Sequence, residues 1–334
     1  MFAVKIVKEK TEKVRQDLVS KELLCKDYAL KKDDSFVYIP VKKEIPGYEI
    51  VNIDLEKIVK KNKSLKSILK NDLNSTLLDV LPNSLDIIGD IAIVELVDEL
   101  KPYAHKIGTA ILYLHKNIKV VAMKAGLYSG VYRTRKLKII AGEKRKITIH
   151  KENNVLLKLN VEDCYFSPRL STERKRVFEK VLPGESVLVM FSGIGPYVVT
   201  ISKNTQASKV VGIEINPEAH KYAVENVMLN KLNNVKLYEG DVREIIPKLD
   251  EKFDRIIMPL PKTAESFLDL LRHISKQNTV VHLYCFLHES EIPDKAEELL
   301  KEKLSNFKIL DIIKCGQSSP GNYRICIDFC YKSN

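Results

Sequence analysis

Val187-Leu188-Val189-Met190-Phe191-Ser192-Gly193-Ile194-Gly195-Pro196-Tyr197 is an apolar strand breaking into a Gly-x-Gly turn. Glycine has no Cβ, so a ligand can press against the backbone at such a turn. Nineteen residues beyond Gly195, a second apolar run, Val210-Val211-Gly212-Ile213, ends in Glu214. A carboxylate at the end of that strand is placed to accept hydrogen bonds from ribose hydroxyls. The two stretches together describe a nucleoside-cofactor site on a doubly wound sheet.

The ligand expected there is not a dinucleotide. After Gly193 and Gly195 come Pro196, Tyr197 and Val198, with no third glycine to seat a pyrophosphate. A Gly-x-Gly-Pro-aromatic turn after a strand, with an acidic end to the next strand, points instead to S-adenosylmethionine and a methyltransferase. Asn216-Pro217 makes a good helix start directly after Glu214, with asparagine as cap and proline in the first turn. Asp241 closes the next strand at the same sheet edge, where it either meets an adenine amino group or caps the turn Val242-Arg243-Glu244.

Outward from this stretch, residues 161–334 alternate strand and helix. Strands are predicted at 187–191, 210–214, 235–238, 254–258 and 279–286, and helices near 171–181, 196–203, 217–230, 263–274 and 291–304. That is the pattern of a mostly parallel sheet with helices on both faces. The remainder reads as two smaller α+β units. In 1–70, a helix over 11–24 and a strand at 36–39 lead into a lysine-rich helix or linker at 56–70. In 71–160, a hairpin turns at Gly89-Asp90, a helix spans 100–116, and strands follow near 118–123, 137–140, 146–150 and 155–161.

The net charge of the 334 residues is +11. Residues 1–160 carry 31 Lys and Arg against 20 Asp and Glu, whereas 161–334 carry 24 of each. All the excess therefore lies outside the cofactor-binding part. It is densest in 130–158, where Arg133, Arg135, Lys136, Lys138, Lys144, Arg145, Lys146, Lys151 and Lys158 face only Glu143 and Glu152. A charge run alone is a solvated surface, but this asymmetry favours a nucleic-acid partner, because neutralising phosphates releases counterions. Six cysteines without C-x-x-C pairs argue against zinc and against a disulfide framework. The beginning of the chain shows no signal-peptide core and no apolar run reaches the ~18 residues of a membrane span. A monomeric cytoplasmic protein without metal is expected.

Five motifs in order resemble the archaeal and eukaryotic tRNA (guanine-37, N1)-methyltransferases: Tyr132-Arg133-Thr134-Arg135, then Tyr165-Phe166-Ser167-Pro168-Arg169-Leu170-Ser171-Thr172-Glu173-Arg174, then Met190-Phe191-Ser192-Gly193-Ile194-Gly195-Pro196, then Ile215-Asn216-Pro217, then Asp241-Val242-Arg243-Glu244. The similarity is specific over about 130–262 and only architectural before that. It implies a class I, Rossmann-like methyltransferase sheet preceded by two small α+β domains, with tRNA as partner and S-adenosylmethionine as cofactor. By the same resemblance, Glu173 is the general base that takes the proton from guanine nitrogen 1, and Arg133 stabilises the charge building on oxygen 6. Tyr165, Arg169 and Pro261 would shape the base pocket, and Arg135, Lys136 and Arg145 would meet the tRNA. Phe191, Gly193, Gly195, Pro196, Glu214, Ile215, Asp241, Val242 and Pro259 would form the cofactor side.

The chain departs from the family pattern twice. Val189 stands where the family has an aspartate, and Pro259 in Met258-Pro259-Leu260-Pro261-Lys262 replaces an asparagine that helps hold the target base. Proline offers neither a side-chain hydrogen-bonding group nor a backbone N–H. Two readings stay open: a weakened guanine-37 enzyme, or one that also methylates carbon 7 of the tricyclic base 4-demethylwyosine, as a branch of this archaeal family does. Rival classes are a methyltransferase of a protein or another RNA, a dehydrogenase, and a non-catalytic RNA-binding module.

Overall fold

The computed structural model describes residues 1–58, 64–126 and 130–332. Its contacts divide the chain into two compact units, Met1–Ser67 and Ile68–Asn334. In the first, β1 (Phe2–Val7), β2 (Lys31–Lys32), β3 (Phe36–Pro40) and β4 (Ile50–Asn52) form an antiparallel sheet in the order β2-β3-β1-β4. Helix α1 (Thr11–Ser20) brings Val14 and Leu18 onto Val4, Val37, Ile39 and Val41, at the spacing of one helix face. Part of the lysine-rich stretch expected as a helix or linker, 59–63, lies outside the described residues; α2 (Leu65–Leu69) follows it.

The second unit begins with α3 (Ser75–Asp79) and a four-stranded sheet of β5 (Asp86–Ile88), β6 (Ile91–Val94), β7 (Val120–Lys124) and β8 (Leu137–Gly142). The predicted hairpin at Gly89-Asp90 joins β5 to β6, and α4 (Ala104–Leu114) crosses over to the parallel strand β7. Gly89 has φ +57°, and a Cβ there would lie 2.2 Å from the Thr148 hydroxyl, so no other residue fits. A separate hairpin, β9 (Ile147–Glu152) and β10 (Val155–Asn160), turns at Asn153 and Asn154, both at positive φ.

The large sheet follows: β11 (Ser186–Met190), β12 (Lys209–Glu214), β13 (Val235–Glu239), β14 (Phe253–Met258), β15 (Ser275–His288), β16 (Phe307–Ser319) and β17 (Asn322–Tyr331), in the order β13-β12-β11-β14-β15-β17-β16. β11 to β15 and β16 all run parallel, and β17, inserted between β15 and β16, alone is antiparallel to them. Interleaved are α5 (Ser171–Phe178), α6 (Pro196–Asn204), α7 (Pro217–Leu229), α8 (Val242–Ile245), α9 (Leu271–Ile274) and α10 (Asp294–Lys301). This is the expected class I methyltransferase sheet. Its strand order reverses between β11 and β14, and ligands of such sheets bind at the carboxyl ends there. The closing hairpin β16–β17 and the full length of β15 were not predicted. Alternating polar residues on β16 hide a strand that is covered on one face only.

The division expected at 160/161 does not separate two compact units. Ile88, Ile91, Val120 and Leu137 share one core with Leu157 and Leu159 of β10 and with Ile194, Ala219 and Tyr222 of the large-sheet layer. The join is also polar. From α7, the Asn226 amide accepts from Lys158 N at 2.7 Å and donates to Lys158 O at 3.0 Å, while Asn230 does the same for Leu156 at 2.9 and 2.7 Å. Two asparagines one helical turn apart thus pair with alternate residues of β10 as a neighbouring strand would. Among the described residues, no helix is long and apolar enough to cross a membrane.

Candidate active site

The carboxyl ends of β11, β12, β13 and β14 open onto a cleft of about 750 Å³. From β11 come Phe191 and Gly193; from β12, Glu214, Ile215 and Asn216; from β13, Gly240, Asp241 and Val242; and from β14, Pro259, Leu260, Lys262 and Thr263. The opposite wall is Tyr132, Arg133, Tyr165 and Phe286. Phe191, Gly193, Glu214, Ile215, Asp241, Val242, Pro259, Arg133 and Tyr165 were among the predicted residues; Tyr132, Asn216, Gly240, Leu260, Lys262, Thr263, Phe267 and Phe286 were not.

The turn after β11 is built for close approach. Phe191, Gly193 and Gly195 all have positive φ, at 55°, 56° and 81°. For phenylalanine that conformation is strained, and such strain persists only where the surroundings hold it. Phe191 is held edge-on against Phe267 at 4.9 Å between ring centres. Gly193 N donates to Glu214 Oε2 at 2.6 Å and Asn216 N to Glu214 Oε1 at 2.8 Å. One carboxylate therefore braces the turn to the end of β12 while lining the cleft. Burial pushes the Glu214 carboxyl above its ordinary value, against the pull of its backbone donors.

Asp241 lines the cleft, and its Oδ1 accepts from Arg243 N at 2.8 Å as the cap of α8. Gly195 and Pro196 are different: neither lines the cleft. Gly195 is the left-handed N-cap of α6, where a Cβ would sit 3.4 Å from that of Ala223, and Pro196 opens the helix. Their part is to seat α6 close to α7. Pro261 is buried outside the lining as well, whereas Pro259 is in it.

The residues set do fit an adenosine-type cofactor. Carboxylates of Glu214 and Asp241 stand at adjacent strand ends, and Ile215, Val242, Leu260 and Phe267 supply an apolar wall for a flat ring.

Across the cleft, the Arg133 guanidinium lies 5.1 Å from the centre of the Tyr165 ring, and Arg133 also has positive φ, 51°. Tyr165 in turn accepts from Arg324 Nη2 at 3.3 Å. The other predicted basic residues scatter. Arg169 is exposed and paired with Asp86 at 2.8 Å, beside a second cleft that Arg135 also lines. Lys136 is exposed near Glu162. Arg145 is half-buried and committed to Asp90 (2.5 and 3.0 Å), Glu143 (2.7 Å) and the Ile147 carbonyl. Its fork locks the β5–β6 turn to β9, so its placement is that of a brace.

Glu173 is the main departure. It does not line the cleft. Its carboxylate is buried, with Arg176 Nε and Nη2 at 2.8 and 2.7 Å and the Tyr284 hydroxyl at 2.6 Å. The adjacent Arg174 points away and forms a buried bidentate pair with Glu152 of β9 at 2.5 and 2.6 Å. Arg176 is an i, i+3 neighbour of Glu173 on α5, but nothing local foretold Tyr284, which is 111 positions distant in the chain.

The fold and cleft define a class I methyltransferase. Residues 148–312 match the TRM5/TYW2 methyltransferase domain, 65–145 the TYW2 N-terminal domain, and 3–49 the tRNA methyltransferase 5 N-terminal domain. The chain is 42% identical over 332 residues, 98% of each chain, to the tRNA (guanine(37)-N(1))-methyltransferase Trm5b of Pyrococcus abyssi. It belongs to the TRM5/TYW2 family of methyltransferases. The tRNA (guanine(37)-N(1))/4-demethylwyosine(37)-methyltransferase Taw22 of Nanoarchaeum equitans is 34% identical over 299 residues, 73% of this chain and 98% of its own. Among solved structures, the Pyrococcus abyssi Trm5b superposes with a TM-score of 0.76 over 99% of both chains at 40% identity. A complex of aTrm5 with tRNALeu gives 0.72 at 32% identity, over 99% of this chain and all of that one. The TYW2 of M. jannaschii bound to AdoMet gives 0.56 at 25% identity, over 75% of this chain and all of that one.

Proposed function

We propose that this enzyme transfers a methyl group from S-adenosylmethionine to nitrogen 1 of guanine 37 in tRNA, with 4-demethylwyosine at the same position as a second substrate. The observation that carries the reading is the juxtaposition in one cleft of the Glu214–Asp241 strand ends with Arg133 and Tyr165. The similarity to Trm5b and to Taw22 over most of their length supports the substrate class.

S-adenosylmethionine supplies an electrophilic methyl on its sulfonium. Glu214 and Asp241 hold the nucleoside end, and the apolar wall keeps water off it. Guanine nitrogen 1 carries a hydrogen, so it must lose a proton to become a nucleophile. Glu173 takes that proton onto a carboxylate oxygen as the nitrogen forms its bond to the methyl carbon, the methyl's bond to sulfur breaking to leave the neutral thioether S-adenosylhomocysteine. Negative charge that builds on oxygen 6 falls to Arg133, whose guanidinium is fixed over Tyr165. The target base has to leave the anticodon stack to enter, at a cost of a few kcal/mol. The basic surplus of residues 1–160 supplies the phosphate attraction that helps offset it.

The second substrate rests on Pro259. It lines the cleft next to Leu260 and offers a base no side-chain hydrogen bond. An apolar lip of this kind accommodates a tricycle as readily as a guanine. The test uses methyl-labelled S-adenosylmethionine with tRNA carrying either guanosine or 4-demethylwyosine at position 37, the product nucleosides being identified by mass. Label on both is expected. Label on guanine alone would remove the second substrate, and label on neither would remove the reading.

A further inference from the structure

Behind the cleft, β15 and β17 carry three successive rungs on one face: Phe286 opposite Arg324, Tyr284 opposite Cys326, and His282 opposite Asp328. The first rung reaches the cleft through Phe286 and, through Arg324, Tyr165. The second holds Glu173 through Tyr284, about 7 Å further back by the rise of two strand residues. The third rung is a buried ionic centre. His282, Cys326 and Asp328 present ligand-type atoms within 4.8 Å of one another, but cations already surround them. Asp328 accepts from Arg176 Nη1 at 2.6 Å and Nη2 at 3.3 Å, and from Lys180 at 2.8 Å. Arg255 Nη1 lies 2.8 Å from His282 Nε2 and can only donate, so that nitrogen accepts. The imidazole proton then sits on Nδ1, which donates to Asp328 Oδ1 at 2.6 Å.

Arg176 thus bridges two carboxylates, Glu173 and Asp328. For Glu173 to take a proton in the cleft, it must leave Arg176 and Tyr284. A guanidinium stripped of its partner in a buried site is strongly disfavoured. Asp328, itself anchored by His282 and Lys180, would keep Arg176 paired after Glu173 departs. The Tyr197 hydroxyl donates to the Tyr284 oxygen at 2.8 Å, and by rotating it can reverse that bond and accept from Tyr284 once Glu173 departs.

We propose that Arg176 is a latch on Glu173 and that Asp328 is the positioning residue that lets the latch open. The proposal rests on the reading of Glu173 as the base. With Asp328 neutralised, Arg176 has Glu173 as its one strong counter-charge and retains it.

The test is single-turnover and steady-state methyl transfer to unmodified tRNA by the full chain, with S-adenosylmethionine binding by calorimetry as the check on folding. Asp328→Asn is expected to lower kcat by at least about 10-fold, toward the ~10²-fold loss of a missing general base, with both KM values little changed. Adding Arg176→Met to Asp328→Asn is expected to recover most of that loss, since no unpaired cation then holds Glu173. A damaged scaffold would make the double variant slower still. An unchanged kcat for Asp328→Asn, or a double variant as slow as the single, would overturn the latch. If Asp328→Asn no longer binds cofactor, Arg176→Met alone decides: a fall as deep as that of Glu173→Gln would overturn the latch, and a shallower one supports it. Glu173→Gln at the wild-type rate would instead remove the underlying assignment of the base.

Discussion

Two buried carboxylates, one lining the cleft and one behind it, are held in different ways. Glu214, at the end of β12, takes its hydrogen bonds from backbone N–H groups of Gly193 and Asn216. Glu173, on α5, takes its bonds from side chains, Arg176 and Tyr284. Backbone donors are fixed by the fold, so Glu214 is positioned as firmly as the sheet itself. Side-chain donors can exchange partners, and Arg176 has a second one in Asp328. The contrast suits the two proposed tasks: a cofactor cradle must stay still, whereas the base proposed behind the cleft must move to reach a substrate.

The largest effect should come from the movable side. Glu173→Gln is expected to cut the single-turnover rate by about 10²–10⁴-fold, the usual contribution of a general base, with tRNA affinity nearly unchanged. A comparable loss of affinity would mean that Glu173 holds the substrate and does not take its proton. Arg133→Ala should lower the rate by about 10²–10³-fold, in the range of a lost oxyanion donor, and weaken tRNA binding as well. An unaltered rate would break the assignment of Arg133.

On the fixed side, Asn226→Ala leaves the Lys158 N–H and carbonyl without their partner and should cost about 3 kcal/mol in urea unfolding, given the usual ~1–3 kcal/mol per buried unsatisfied group. A cost near zero would show that β10 is held by its apolar face alone. Glu214→Gln should weaken S-adenosylmethionine about 10-fold by calorimetry, the equivalent of one charged hydrogen bond, while Glu173→Gln leaves that affinity alone.

The smallest effect is on pH dependence, where the two sides differ in sign. Burial opposes ionisation of Asp328, but His282, Arg176 and Lys180 outweigh it and hold that carboxyl well below its ordinary range. Such a group contributes stability that is present above its unfolded value, about 4, and is lost as pH falls toward the folded one. Glu214 is raised, so its contribution is full below its unfolded value and declines as pH rises past it. Asp328→Asn should therefore lose less Tm than wild type between about pH 5 and pH 3, and Glu214→Gln less between about pH 5 and pH 7. Parallel profiles for all three proteins would mean that neither carboxyl is shifted.

How much of this was legible follows from the same physics. The strand–turn–strand run 187–214 and the caps Asn216-Pro217 and Asp241 are local signals, and the structure puts Gly193, Glu214, Ile215, Asp241 and Val242 in one cleft as the motifs implied. The Gly89-Asp90 hairpin was readable for the same reason. The motif order did not reveal that Gly195 and Pro196 serve helix packing, because a tight turn and a ligand contact ask for the same residue types. Nor did the charge run 130–158 reveal that Arg145 is committed to Asp90, since counting charges says nothing of which are already paired.

By itself the sequence determined the class of sheet, the cofactor edge and the basic surplus of the first 160 residues, because periodicity, turn chemistry and composition are properties of neighbouring residues. Only the tertiary structure decided what surrounds Glu173. Tyr284 and Asp328 lie 111 and 155 positions beyond Glu173, and the antiparallel insertion of β17 between β15 and β16 is what brings their rungs behind it. No local pattern encodes such a meeting, since it depends on which strands become neighbours once the sheet has closed.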